Sequence, residues 1–157
     1  MKKENILILH DIRSAQNVGA IFRTADACAV SRIILSGYSP SPLDRFGRKR
    51  SDISKSALGA EDSVPWEFSE NIIETLQNFK KENFKIISLE QAGNSTDYKT
   101  VKLSEKNIFI VGNEVSGVEK EMLLISDIVA EIPMLGKKES LNVSVATGIF
   151  LFRVLGI

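Results

Sequence analysis

Short, largely apolar runs recur along the chain: "NILIL" (5–9), "SRIILSG" (31–37), "FKIISL" (84–89), "NIFIV" (107–111) and "DIVAEI" (127–132). None alternates apolar with polar residues, so each reads as a strand covered on both faces rather than wetted on one. "PWEF" (65–68) is a weaker strand. Between the runs lie stretches of helical period. "NVGAIFRTADACAV" (17–30) places Val18, Ile21, Phe22, Ala25 and Ala29 on one stripe, with Asn17 as its candidate cap. "SENIIETLQNFKKEN" (69–83) is amphipathic with Ser69 as candidate cap, and "VEKEMLLIS" (118–126) is a short helix. Doubly buried strands alternating with helices predict an α/β fold, a mostly parallel sheet with helices on both faces. Residues 38–64 read as a long loop with at most one helical turn, and 90–106 as mostly loop.

The last helix, from about Leu141 onward, has a different pattern. Val143, Val145, Ala146, Ile149, Phe150, Leu151, Phe152, Val154 and Leu155 surround its axis. A helix apolar all round is buried on more than one side. One side can meet its own sheet; the other is satisfied either in the middle of a monomer or by a second subunit.

No repeat or linker divides the 157 residues, so one domain spanning 1–157 is expected. Twenty Lys and Arg balance twenty Asp and Glu, and no global basic field marks a nucleic-acid partner. Cys28, the only cysteine, excludes an internal disulfide and a cysteine-based metal cluster, which fits a reducing, cytoplasmic setting; no metal is expected. The apolar run after the first lysines is too short for a secretory signal, and Arg153 interrupts the most apolar segment, so no membrane span is expected.

In an open parallel sheet, ligands bind beyond the carboxyl ends of the strands. Three such ends fall in the second half: "SLEQAG" (88–93), "VGNEVSG" (111–117) and "IPMLGKKESLN" (132–142). Gly112 and Gly117 allow tight backbone and close approach of a ligand. No Lys-Ser/Thr follows Gly117 and the chain has no G-x-G-x-x-G, which counts against a nucleoside triphosphate and a dinucleotide. Glu114 inside the turn repels phosphate and favours a ligand with hydroxyls and positive charge, such as S-adenosylmethionine; it equally fits an acid at a helix start. Ser140 or Asn142 is placed to cap the last helix, and Lys137 and Lys138 are either solvated or phosphate contacts. Arg23 lies opposite the apolar stripe of its helix, an ordinary solvated position. His10, the single histidine, reads as a structural residue at a strand end.

Taken together, three segments carry more. N-x-G-x-x-x-R-T at Asn17, Gly19, Arg23 and Thr24, G-N-E-x-x-G at Gly112, Asn113, Glu114 and Gly117, and I-P-M-x-G-x-x-x-S-L-N-V-S at 132–144 resemble, in order, the three signature motifs of the TrmH (SpoU) branch of the SPOUT RNA methyltransferases. The resemblance implies S-adenosylmethionine-dependent 2′-O-methylation of a ribose in tRNA or rRNA, with S-adenosylhomocysteine as product. It also implies a C-terminal deep trefoil knot, an exception to the rule that chains do not thread loops, and a homodimer joined through the C-terminal helix. On this resemblance, backbone near Leu89, Gly112, Ile132, Met134 and Leu141 holds the cofactor. Asn17, Arg23, Glu114, Ser140 and Asn142 form the catalytic constellation. A guanidinium stays protonated in proteins, so Arg23 is expected to clamp an RNA phosphate rather than act as a base. Larger members of the family carry a further N-terminal RNA-binding domain, expected to be absent here. The best candidate for RNA grip is then "DRFGRKRSDISK" (44–55), with Arg45, Arg48, Lys49, Arg50, Lys55 and a stacking Phe46; the same charge run equally reads as a solubilising loop. Two other readings compete: a nucleotide-binding redox or transfer enzyme on an unknotted doubly wound sheet, and a non-catalytic RNA-binding module.

Overall fold

In the computed structural model, which describes residues 3–157, the chain folds around a seven-stranded sheet. Its elements run β1 (Glu4–His10), α1 (Ala15–Ala27), β2 (Arg32–Ser36), α2 (Ser51–Ala57), α3 (Ala60–Ser63), β3 (Trp66–Ser69), α4 (Ile72–Lys81), β4 (Lys85–Leu89), β5 (Thr96–Asp97), a 3-10 turn (Tyr98–Thr100), β6 (Lys106–Val111), α5 (Lys120–Ile125), β7 (Ile128–Glu131) and α6 (Val143–Leu155). The strand order is β3-β2-β1-β6-β4-β7-β5, and every pairing is parallel.

The apolar runs have a direct explanation in this sheet. Leu7, Leu9, Ile33, Leu35, Ile87, Phe109 and Val111 point to one face, where Val18, Ile21 and Phe22 of α1, Ile53 of α2, Ala60 of α3, and Phe150 and Leu151 of α6 cover them. Ile6, Ile8, Ile34, Ile86, Ile108 and Ile110 point to the other, beneath Ile72 and Leu76 of α4 and Met122 of α5. Each such side chain, fully buried, contributes about 1.5–3 kcal/mol. A strand that feeds two cores has no reason to alternate.

The structure corrects several local expectations. Residues 38–64 contain two helices, not one turn. Short α2 offers only Ile53 and Ala57 as buried positions, too few to register as a period; its contact with α1 holds it instead. Gly19 makes that contact possible, because a Cβ there would overlap Ser56 Oγ and the Ile53 carbonyl. Helix α1 starts earlier than expected: Ser14, not Asn17, is its cap, accepting from Asn17 N at 3.1 Å. Ala29 lies past the end of α1, exposed and left-handed at φ 51°. Ser69 ends β3, and Asn71 caps α4 by accepting from Glu74 N at 3.2 Å. The 90–106 stretch holds β5 and the 3-10 turn.

Helix α6 seats Thr147, Phe150 and Leu151 against the sheet, with Phe150 edge-on to Phe109 at 5.6 Å between ring centroids. Its opposite side leaves Val145 50%, Ile149 39% and Phe152 40% exposed, at i, i+4 and i+7 spacing. Among the described residues no helix is long and apolar enough to cross a membrane.

Candidate active site

A cavity of about 200 Å³ opens beyond the carboxyl ends of β4, β6 and β7. Leu89, Glu90 and Gln91 form the wall that follows β4, residues 111–117 the wall that follows β6, and Glu131, Ile132, Met134, Ser140 and Leu141 the wall that follows β7. Val143 and Ala146 of α6 close it.

The 112–117 turn is rigid for reasons visible in its own residues. Asn113 and Gly117 exchange backbone hydrogen bonds, at 3.0 and 2.9 Å. The Asn113 side-chain oxygen accepts from Val115 N and Ser116 N, and its amide donates to the Asp11 carbonyl and to Tyr38 Oη. Gly117 adopts φ 72°, where other residues are strained, and a Cβ on Gly112 would overlap the Gly117 and Val118 backbone. Both glycines are therefore demanded by the turn before any ligand is considered.

Glu114 reaches out of this turn to the start of α1. It accepts from Arg13 N at 2.9 Å, Ser14 N at 3.1 Å and Asn17 Nδ2 at 3.1 Å. It is an acid at a helix N-terminus, but of a helix a hundred residues earlier rather than the one that follows it. Partial burial pushes its carboxyl up, yet the hydrogen bonds from Arg13, Asn17, Ser14 and its own N–H outweigh this and hold it below the usual glutamate range. A carboxylate so occupied is a weak base and a strong anchor. Asn17 Oδ1 in turn accepts from Asn142 Nδ2 at 3.2 Å, while Asn142 Oδ1 caps α6 through Ser144 N and Val145 N. Asn142, not Ser140, is thus the cap. The line Glu114–Asn17–Asn142 ties three distant segments together at the rim of the cavity.

The cavity gathers Leu89, Gly112, Glu114, Ile132, Met134, Ser140 and Leu141, all singled out from the sequence. Asn17 and Asn142 join it through Glu114. Arg23 is not in the lining. It is exposed on α1 beside a separate shallow depression shared with Lys55, Leu58 and Phe152.

Sequence reasoning missed Glu90 and Glu131, two further carboxylates of the wall. Glu90 accepts from Val118 N at 2.7 Å and from Gln91 N at 2.8 Å, fixing the β4 loop against the turn. Both stand at a strand's carboxyl end, which was the available signal. Among the described residues the lining has three glutamates and no Lys or Arg, a field suited to a cationic ligand with hydroxyls and unsuited to polyphosphate.

The basic segment is more occupied than its composition suggests. Arg48 pairs with Asp44 at 3.0 Å, Lys49 with Asp62 at 2.6 Å and Arg50 with Asp52 at 2.7 Å. The Arg45 and Arg48 guanidiniums lie over the Phe46 ring at 4.8 and 5.0 Å, so that ring already has stacking partners.

The sequence profile of the SpoU rRNA methylase family matches residues 4–152. The chain is 34% identical over 146 residues to the 23S rRNA (guanosine-2′-O-)-methyltransferase RlmB of Neisseria meningitidis serogroup B, a match covering 93% of the chain and 56% of that relative. It is 32% identical over 152 residues to the tRNA (guanosine(18)-2′-O)-methyltransferase of Aquifex aeolicus, covering 97% of the chain and 69% of that protein. The chain therefore spans from about half to two thirds of the length of these relatives. Among solved structures, the AdoMet-bound rRNA methyltransferase from Sinorhizobium meliloti superposes with a TM-score of 0.86 at 28% identity, over 98% of the chain and 56% of that structure.

Proposed function

The chain belongs to the SpoU rRNA methylase family, and from that membership we propose that it is an S-adenosylmethionine-dependent methyltransferase acting on a ribose 2′-hydroxyl of tRNA or rRNA, in the cytoplasm. The observation that carries the cofactor is the lining itself. Its glutamates, its apolar wall of Leu89, Ile132, Met134 and Leu141, and the absence of Lys and Arg fit a sulfonium nucleoside better than a nucleotide. This also weighs against a redox or phosphate-dependent enzyme on a similar sheet. When bound, S-adenosylmethionine supplies an electrophilic methyl group, and its transfer to the ribose oxygen leaves S-adenosylhomocysteine and releases the hydroxyl proton.

The residues of this chain contribute position and charge. Glu114 holds Asn17 and, through it, Asn142 at the rim, where the ribose would enter. Alignment of this kind is worth roughly 7–11 kcal/mol of a barrier at its best. Ser140, exposed at the mouth, is available to the incoming ribose. Arg23 binds an RNA phosphate and stabilises charge developing at the attacking oxygen. Its place outside the lining and beside Phe152 supports action in trans. The exposed face Val145, Ile149 and Phe152 is the surface of a homodimer, and Arg23 at its edge serves the partner's cavity. Of the basic loop, Arg45 is the residue most open to RNA, since Arg48, Lys49 and Arg50 would first have to leave their carboxylates.

Residues 1–157 act as one methyltransferase domain. A trefoil knot is the threading we infer for its last third; segment 132–142 lining the same cavity as the loops after β4 and β6 supports it.

Transfer of tritium from labelled S-adenosylmethionine to total RNA, followed by nucleoside mapping, tests the function. A 2′-O-methylated nucleoside is expected; label confined to bases, or no transfer despite cofactor binding, overturns it. The second outcome would favour a non-catalytic RNA-binding module.

A further inference from the structure

We propose that His10, Asp11 and Glu119 form a binding site for a divalent transition-metal ion of the zinc class. The site lies outside the cavity lining and does not depend on the function proposed above. His10 is the last residue of β1, Asp11 follows it, and Glu119 is the residue before α5. Glu119 is remote in sequence from the adjacent His10 and Asp11, so the three have no ligand spacing that a motif search would find.

The imidazole is the telling group. The His10 side chain is 8% exposed, and Nε2 lies 3.2 Å from Glu119 Oε1 and 3.4 Å from Asp11 Oδ2. Yet neither contact has hydrogen-bond geometry, and Nε2 is the one buried side-chain polar atom without a partner among the described residues. A buried nitrogen close to two carboxylates but hydrogen-bonded to neither carries a desolvation cost that no hydrogen bond offsets. A cation at the centre of the three removes that cost. Four donors at about 2.0–2.1 Å around a tetrahedral ion stand about 3.3–3.4 Å from one another. The two measured separations match that edge, and one ligand atom from each residue lies within 4.8 Å of the others.

The surroundings are arranged as metal ligands require. His10 Nδ1 is 2.8 Å from Ser36 Oγ, in a buried contact. A proton donated there leaves the Nε2 lone pair facing the carboxylates and fixes the ring plane. Asp11 Oδ1 accepts from Tyr38 N at 3.1 Å, which orients Oδ2 inward. Glu119 is 54% exposed, so the ion has a route in from solvent and water can complete the fourth position. One imidazole and two carboxylates with an open position suit zinc; magnesium, which wants an octahedral oxygen shell, fits poorly.

The chain purified with chelator and dialysed against zinc alone should bind one ion per chain. Glu119→Gln, at an exposed position where folding is undisturbed, should weaken that binding roughly tenfold or more, and His10→Gln likewise. Cobalt(II) should give the intense visible absorption of a four-coordinate site in the wild type and lose it in Glu119→Gln. Zinc should raise the thermal midpoint of the wild type and leave that of Glu119→Gln in place. Absence of stoichiometric zinc binding, binding unchanged in Glu119→Gln, or preference for magnesium over zinc would each overturn the proposal.

Discussion

Protonating Glu114 removes the acceptor shared by Arg13, Ser14 and Asn17. Its carboxyl lies below the ordinary range in the folded chain, so its contribution to stability is full above that range and is lost as pH falls through the lower, folded value. Charge-assisted hydrogen bonds at so partly exposed a group are worth about 1 kcal/mol together. Thermal melts across acid pH should therefore show the wild type losing midpoint faster than Glu114→Gln, with the two curves converging at the acid end. Parallel curves would mean that the carboxylate holds nothing. Arg23 makes the complementary case, a residue outside the lining. Arg23→Ala should bind cofactor as the wild type does in calorimetry while single-turnover methyl transfer falls by roughly 10²–10³. Arg23→Lys should recover little, since an ammonium lacks the planar fork. A loss below about threefold in Arg23→Ala would return it to an ordinary solvated arginine. Its spacing from Asn17 was legible in the sequence; its separation from the cavity was not, because helix geometry carries it along α1, away from the capped end.

At the scale of elements, α6 shows how an apolar pattern divides between two duties. Phe150 is fully buried against Phe109, so Phe150→Asp should unfold the chain; loss of its packing alone costs about 3–5 kcal/mol. Phe152→Asp, on the exposed side, should leave the circular dichroism spectrum and melting cooperativity intact while sedimentation shifts from dimer to monomer. A wild type that sediments as a monomer at micromolar concentration would remove the dimer altogether. The sequence displayed both faces of this helix as one continuous apolar surface, which is why period alone could not say which residue served which. The strands were readable for the opposite reason: four consecutive apolar residues such as Ile6, Leu7, Ile8 and Leu9 leave no polar position between them to mislead. The two helices in 38–64 were not, since what holds α2 is the missing side chain of Gly19 on another element. Glycine for close approach and glycine for a turn look alike in a sequence.

For the whole molecule, the proposed action of Arg23 in trans makes a measurable statement about mixtures. Met134→Trp should fill a cavity from a loop position, and Arg23→Ala should leave cavities intact but unserved. Each variant alone should be nearly inactive. Dissociated and re-associated together at equal amounts, they should recover about a quarter of wild-type activity, because half the dimers are mixed and each of those has one complete site. No recovery would place each Arg23 in its own subunit's site.

The Glu114–Asn17–Asn142 line draws on residues made at three well-separated times during synthesis. A chain still held at its C-terminal end in a ribosome can already bury β1, β2 and α1, since folding proceeds from the N-terminus as the chain emerges. It cannot yet present Asn142 to Asn17, nor close the cavity with Val143 and Ala146. Until α6 has emerged, the chain therefore has neither the link between Asn17 and Asn142 nor a closed cavity, so both features of the site depend on its last-made helix.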